Sequence, residues 1–353
     1  MVKARGGRKP AGYVQGPYDY RRMLQRDDLE AVIIATPMQV HAPMSIDAMR
    51  AGKHALSEVA AAMTLDDCWG LVHAAEETGK IYMLAENCCY MDYVMMISRM
   101  VQRGVFGTMT FAECGYVHAV PGMLFDPRGG LTWRGEMVRD FPGNCYPTHS
   151  LGPVAQWLSI NRGDRMVSLA AAATGQAALR QFIEKNLPAG HPARKIQFKG
   201  ADSVTALIRT EKGALIDLRY DILSPRPVVS TTYYSLQGLK AAYESRIDSV
   251  WIEGRSKGHQ WDPRSAYAKE FEHPLWTASR TQAAGSGHGG CDYFVFGEFL
   301  KAIRSGGPSP VDAYDAAAWS SVIPLSARSI AEGGRVVEIP DFTKGKWQSR
   351  KPV

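Results

Sequence analysis

Six cysteines are all that the 353 residues carry, and none is spaced as a metal or disulfide pair. Cys68, Cys88, Cys89, Cys114, Cys145 and Cys291 contain no C-x-x-C step, and the adjacent Cys88 and Cys89 suit neither a disulfide framework nor a zinc site. Reduced, buried thiols and no metal centre are expected. No apolar run is long enough to span a bilayer, and the segment VKARGGRKPAGY after Met1 is charged with no apolar core, so localisation stays open. The excess of 41 Lys and Arg over 35 Asp and Glu gives a net charge of +6, but the two signs are interspersed and no aromatic-studded basic run occurs. A nucleic-acid partner is therefore not expected.

A further lack concerns glycine. GSGHGG at 285–290 fits G-x-G-x-x-G, a pattern that binds a dinucleotide only where a strand enters the first glycine and a helix leaves the last. The preceding HPLWTASRTQAA has no strand alternation, so this hit is not the cofactor turn. What the chain does have, early on, is a succession of strand and helix signals. AVIIA is a short β-rich apolar run as in a strand buried on both faces, followed by helical PMSIDAMRAG, strand HALSEVA, helix TLDDCWGLVHAAEETGK, strand IYMLAEN and helix YVMMISRMVQRG. Thr64 and Asp67 stand at capping-box spacing before the second helix. Three strand-helix units predict a doubly wound parallel α/β sheet over residues 1–107. From residue 108 the text becomes alternating strands with glycine turns, as in MVSLAAAAT and SVTALIRTEKGALIDLRYDI, which predicts an open, mainly antiparallel α+β domain over 108–353, its last helix packing back on the first domain. An open sheet face would suit a homo-oligomer.

ATPMQVHAPMSIDAMRAGKHALSEVA resembles the Gfo/Idh/MocA oxidoreductases, in which T-P-x-x-x-H follows a Rossmann strand and A-G-K-H leads to a strand ending Glu-Lys-Pro. Here Glu58-Val59-Ala60 stands in place of that tripeptide, without the lysine that assists the ordinary dehydrogenases. AENCCY, FAECGYVH, the string from Tyr146 to Arg165, GHGGCDYF, YDAAAWSSVIPLS and PDFTKGKW are similar to glycoside hydrolase family 109, the NAD-dependent α-N-acetylgalactosaminidases, from about residue 10 to the C-terminus. Members of that family begin with a strand, a glycine-rich turn, a helix and a second strand, so the resemblance implies that the first βαβ unit is missing, through truncation of a region that in relatives often includes an export signal.

The resemblance implies hydrolysis without the usual carboxylate pair. NAD removes hydride from the sugar C3, the C2 hydrogen becomes acidic, the aglycone leaves C1, water adds and the hydride returns. It assigns Met38, Gln39, Val40, His41, Glu58, Val59 and Asn87 to NAD, at three converging strand ends. Read alone, His41 could cap the following helix and Asn87 could form a turn. On the sugar side it selects Tyr116, Arg134, Tyr146, Pro147, Thr148 and His149, with His288 as a further contact. Tyr146 and His149 are expected to move protons, with phenol and imidazole pKa values suitably lowered, and Tyr116 and Arg134 to position the sugar. A helix-start histidine can equally be a packing residue, and Glu86 can face the pocket or merely end a strand. Val228 follows Ser-Pro-Arg-Pro where the family tends to have Tyr, a lost hydroxyl that Tyr233 or Tyr234 would have to replace. Two other readings compete: an NAD(P)-dependent sugar dehydrogenase, which the missing lysine disfavours, and a cofactor-free fragment that binds sugar without catalysis.

Overall fold

The structure, a computed structural model, describes residues 10–127, 129–227 and 231–352. Its first part alternates α1 (Tyr20–Leu24), β1 (Ala31–Ile34), α2 (His41–Arg50), β2 (His54–Ser57), α3 (Leu65–Thr78), β3 (Tyr82–Leu84) and α4 (Asp92–Gln102). The three strands pair in parallel in the order β1-β2-β3. The Thr64 side chain accepts from the Asp67 backbone N–H at 3.0 Å and starts α3, which ends at left-handed Gly79. β2 and β3 have the burial expected of inner parallel strands, whereas β1 differs, with Ile33 59% exposed. Among the described residues nothing pairs with the outer edge of β1.

The second part runs β4 (Met109–Val117), α5 (Trp133–Asp140), α6 (Thr148–Trp157), β5 (Met166–Ala173), α7 (Ala177–Asn186), β6 (Ser203–Thr210), β7 (Leu215–Asp221), β8 (Thr232–Gly238), β9 (Ala241–Glu244), β10 (Ser249–Ile252) and β11 (Asp262–Pro263). It continues with α8 (Ala268–Phe271), α9 (Pro274–Ala283), α10 (Cys291–Ser305), α11 (Ala313–Ser320), α12 (Val322–Ala331) and β12 (Val337–Glu338). The strands form one open sheet in the order β11-β10-β9-β8-β4-β7-β6-β5-β12, antiparallel except where β4 runs parallel to β7. The last predicted helix, DAYDAAAWSSVIPLSARSIAEGG, is two helices that meet at Ser321. α11 packs back on the first sheet, lying against α3 and β3, and Tyr314 donates from its hydroxyl to Glu76 at 2.6 Å. α12 instead covers β5.

Helix α6 is the hinge between sequence and site. Almost all of its residues are buried, and Gly152 faces the end of the first sheet so closely that a Cβ there would lie 3.0 Å from Glu86 Cγ and from Trp319. The missing side chain lets the helix rest on the turn after β3. The loop that follows α6 is tied down by charge: the Arg162 guanidinium donates to both Asp315 oxygens at 2.7 and 2.6 Å, and Asn161 donates to the same carboxylate at 3.1 Å. Asp315 is fully buried and Arg162 is 7% exposed. Removing one partner leaves the other charge uncompensated, so Asp315→Ala is expected to destabilise the chain by about 3–5 kcal/mol in urea unfolding. An unchanged midpoint would show that the pair carries no such constraint.

Candidate functional site

Three parallel strands end on one edge, and the loops that leave them hold most of the predicted cofactor residues. Past β1, Met38 is buried, Gln39 is half-buried and Val40 is exposed at the rim. Past β2, Glu58 is exposed, Val59 is buried and the Val59–Ala60 peptide bond is cis. Past β3, Glu86 and Asn87 are both buried. Two side-chain acceptors, Gln39 Oε1 and Asn87 Oδ1, are buried there without hydrogen-bond partners. Buried orphaned acceptors call for a donor, and a carboxamide-bearing ring is one group that would supply it. These strand ends therefore fit the nicotinamide end of NAD. Among the described residues none of the three strands runs into a glycine-rich turn of the kind that cradles pyrophosphate.

His41 is corrected. Its ring is 1% exposed, with Nδ1 2.9 Å from the Ala60 carbonyl and Nε2 2.7 Å from the Thr36 carbonyl. Both nitrogens are occupied in joining the loops after β1 and β2, so His41 shapes the cofactor edge and presents no free nitrogen to a ligand. The alternative reading as a local structural residue is the nearer one, although the partners are the two loops, not a helix terminus.

The second part brings the sugar candidates against the same edge. Tyr116 ends β4, Arg134 opens α5, and Tyr146, Pro147, Thr148 and His149 form the entry to α6. Ring centroids of Tyr116 and His149 lie 5.7 Å apart, those of Tyr146 and His149 5.0 Å, and those of Tyr116 and Tyr146 5.2 Å. Tyr116, Arg134 and Tyr146 line a narrow cavity of about 30 Å³ with Met38, Trp133 and Tyr220. Arg134 stacks over Trp133 at 4.2 Å, which fixes the guanidinium plane at the rim. Pro147 and Thr148 are buried, and Thr148 Oγ1 has no hydrogen-bond partner. Tyr146, Tyr116 and His149 thus come together as expected; the sequence did not indicate Trp133, Met137 or Tyr220, whose apolar character gave no signal beyond ordinary core packing.

The strongest contact in the cluster joins residues far apart in sequence. His149 Nδ1 lies 2.7 Å from Glu86 Oε1, and the Tyr234 hydroxyl donates to the His149 carbonyl at 2.6 Å. The Cys88 backbone N–H also reaches Glu86 Oε1, at 3.2 Å, while Glu86 Oε2 is buried without a partner. Burial opposes charge on His149, but the Glu86 carboxylate and the neighbouring Cys88 and Tyr146 more than offset it, and the imidazole is held well above its ordinary value. The expected lowering of the site's pKa values is therefore reversed. Burial pushes the Tyr116 and Tyr146 phenols up as well, against the opposing pull of His149.

Two other sequence expectations change, and the exclusion of GSGHGG as the cofactor turn stands. His288 is exposed, with Nδ1 3.0 Å from Asp292, and is not among the residues that line the cavity. Its partner Asp292 is close enough for its charge to act on Glu58 at the cofactor edge. That loop follows helix α9, so the strand its glycine pattern would need is absent there. Neither tyrosine of β8 replaces a hydroxyl after Ser-Pro-Arg-Pro: Tyr234 is committed to the His149 carbonyl, and Tyr233 lies under Arg246 at 3.8 Å on the other sheet face. Val228 itself lies outside the described residues.

Known proteins share this arrangement. Residues 13–86 match the oxidoreductase family with an NAD-binding Rossmann fold, and residues 90–349 match the C-terminal domain of glycosyl hydrolase 109. NAD, implied by the resemblance, is the cofactor class of the first of these families. A glycosyl hydrolase family 109 protein of Parabacteroides distasonis is 39% identical over 97% of this chain and 78% of its own length. An alpha-N-acetylgalactosaminidase of Tannerella forsythia is 39% identical over 98% of this chain and 77% of its own length. Among solved structures, levoglucosan dehydrogenase in complex with NADH and levoglucosan superposes with a TM-score of 0.72 at 19% identity, covering 96% of this chain and 86% of that one. That likeness shows the fold, a three-stranded parallel sheet joined to an open, mainly antiparallel one. With identity near 40% along almost the whole chain and the Tyr146 to His149 run at the strand ends, this chain belongs to glycosyl hydrolase family 109.

Proposed function

We propose that the chain is an NAD-dependent glycosidase acting on terminal α-N-acetylgalactosamine. One observation carries the reading: the cavity beside the Glu86-bound His149 is lined by tyrosines, an arginine and apolar groups, with no carboxylate among them. Glycosidases that work by paired acids need two carboxyl groups flanking the bond. Glu86, the carboxylate nearest to His149, is fully buried behind the imidazole. Val59 in place of a lysine removes the group that an ordinary dehydrogenase would use, which supports hydrolysis over net oxidation. Bound NAD would supply a transient oxidation at the sugar C3 that acidifies the C2 hydrogen.

The chain's own residues have distinct tasks in this reading. Gln39 and Asn87 would hold the carboxamide end of the cofactor through their unpartnered oxygens, and Met38 and Val59 would give it an apolar wall. The cavity is too small for a sugar ring, so the pyranose lies across its mouth against Tyr116, Tyr146 and Arg134. Both phenols keep their protons at neutral pH and donate hydrogen bonds to sugar oxygens. His149, charged by its contact with Glu86, would give its proton to the leaving oxygen while the C2 proton passes to solvent water at the mouth of the site, and the neutral imidazole would then take a proton from the adding water. A wider groove of about 630 Å³ shares Val120 with the cavity and carries Lys185 and Arg226, which gives the rest of the glycoconjugate a path away from the sugar.

Incubation of the 353-residue chain with NAD and an aryl α-N-acetylgalactosaminide is expected to release the aryl alcohol without net NADH. NADH accumulating from free sugar would favour the dehydrogenase reading, and release of neither product would overturn both. Replacing the phenol in Tyr116→Phe is expected to raise KM, with a loss of about 0.5–1.5 kcal/mol in transition-state binding, since one hydrogen bond is removed.

Acidity gives a second test. The active form requires His149 protonated, so activity falls as pH rises through its raised pKa. Glu86→Gln removes the charge that raises it, and the alkaline limb of the kcat/KM profile is expected to move to lower pH, with kcat reduced about 10²-fold or more. Stability has the same sign. Because the folded value exceeds the unfolded one, the pair's contribution is complete below about pH 6.5 and is lost as pH rises through the folded value. An alkaline limb that does not move in Glu86→Gln would separate Glu86 from the protonation of His149.

A further inference from the structure

Glu86, Cys88 and His149 offer one oxygen, one sulfur and one nitrogen atom, all within 4.8 Å of one another. This is a mixed donor set of the kind that binds zinc, which takes sulfur at about 2.3 Å and nitrogen or oxygen at about 2.0–2.2 Å. Such bond lengths put neighbouring donors about 3.3–3.8 Å apart in a tetrahedron. The donors therefore need only small side-chain rotations to close on an ion, with the direct contact between His149 and Glu86 opening to admit it.

The cluster is also built to stay in place. Glu86 and Cys88 leave the same strand end two residues apart, and the Cys88 N–H holds the carboxylate at 3.2 Å. The backbone of His149 is fixed by the Tyr234 hydroxyl at 2.6 Å. An independent observation points to a ligand: Glu86 is fully buried, yet its Oε2 has no hydrogen-bond partner. A carboxylate oxygen in that position is incomplete, and a cation is one partner that would complete it. The His149 ring, 15% exposed, is the way in from the mouth of the site.

We propose that Glu86, Cys88 and His149 form a binding site for a soft divalent cation of the zinc type, and that its occupation switches off the chemistry of this centre. Binding sends two protons to solvent, the Cys88 thiol proton and one imidazolium proton of His149, and leaves a thiolate and a neutral imidazole on the metal. It also engages His149 and Glu86 together, so the imidazole can no longer carry protons to and from a substrate. The inhibitory consequence rests on the role given to His149 above, whereas the binding does not.

Cobalt(II) separates the two, because a thiolate bound to it absorbs in the near ultraviolet. Titration of the 353-residue chain with cobalt(II), without substrate or NAD, is expected to give that band at one equivalent, and zinc(II) is expected to abolish it. Cys88→Val should lose the band while keeping the far-ultraviolet circular dichroism of the parent, and Glu86→Gln should weaken cobalt(II) binding at least tenfold. No band in the parent chain, or a band that survives in Cys88→Val, overturns the proposal. A band in a chain without glycosidase activity leaves this site standing and counts against the enzymatic reading alone.

Discussion

Everything distinctive about this site depends on a hydrogen bond between a fully buried carboxylate and a histidine 63 residues away, Glu86 and His149 at 2.7 Å. A buried carboxylate without a partner is costly, and one paired with an imidazole forces that imidazole toward its charged form. The surrounding structure can be read as the conditions for that contact. Gly152 lets α6 approach the turn after β3, Tyr234 holds the His149 backbone, and the Arg162–Asp315 pair anchors the loop after the same helix to α11. The first sheet supplies the carboxylate and the second part supplies the ring, so the site exists only where the two are packed together.

The same contact reverses a simple expectation about acidity. Tyrosines and a histidine gathered beside a cofactor edge suggest bases with lowered pKa values, but here burial raises both phenols and Glu86 raises the imidazole. The result is a set of groups that hold protons at neutral pH. Such a set suits the protonation of a leaving oxygen and the positioning of hydroxyls better than direct abstraction by a phenolate. In the proposed reaction it lets one protonated histidine, rather than two carboxylates, give a proton and regain it.

The parallel strands were legible because β-rich runs such as AVII and HALS alternate with helical periods, and the turn signals at Thr64 and Gly79 bound α3 where the structure bounds it. The Tyr146 to His149 run was legible through its resemblance, and the structure brings its members beside Tyr116 and Arg134. Partnership was not legible. Nothing local in sequence says that His41 faces two carbonyls of different loops, that the Tyr234 hydroxyl goes to a helix backbone, or that His288 turns to Asp292 four residues on. Each is fixed by tertiary approach, which leaves no periodicity to read. Cys88 shows this most sharply, since a cysteine without metal spacing gains two other donor atoms only when α6 closes on the strand end.

The central claim is that hydrolysis proceeds through loss and return of the C2 hydrogen of the sugar, with His149 and its carboxylate governing the protons. The most direct measurement is to run the reaction to partial completion in heavy water and examine the released N-acetylgalactosamine by proton NMR or mass spectrometry. Deuterium at C2 of the product, with total NADH unchanged, is the result this account requires. Released sugar that retains hydrogen at C2 would contradict it and return the chain to hydrolysis by direct displacement.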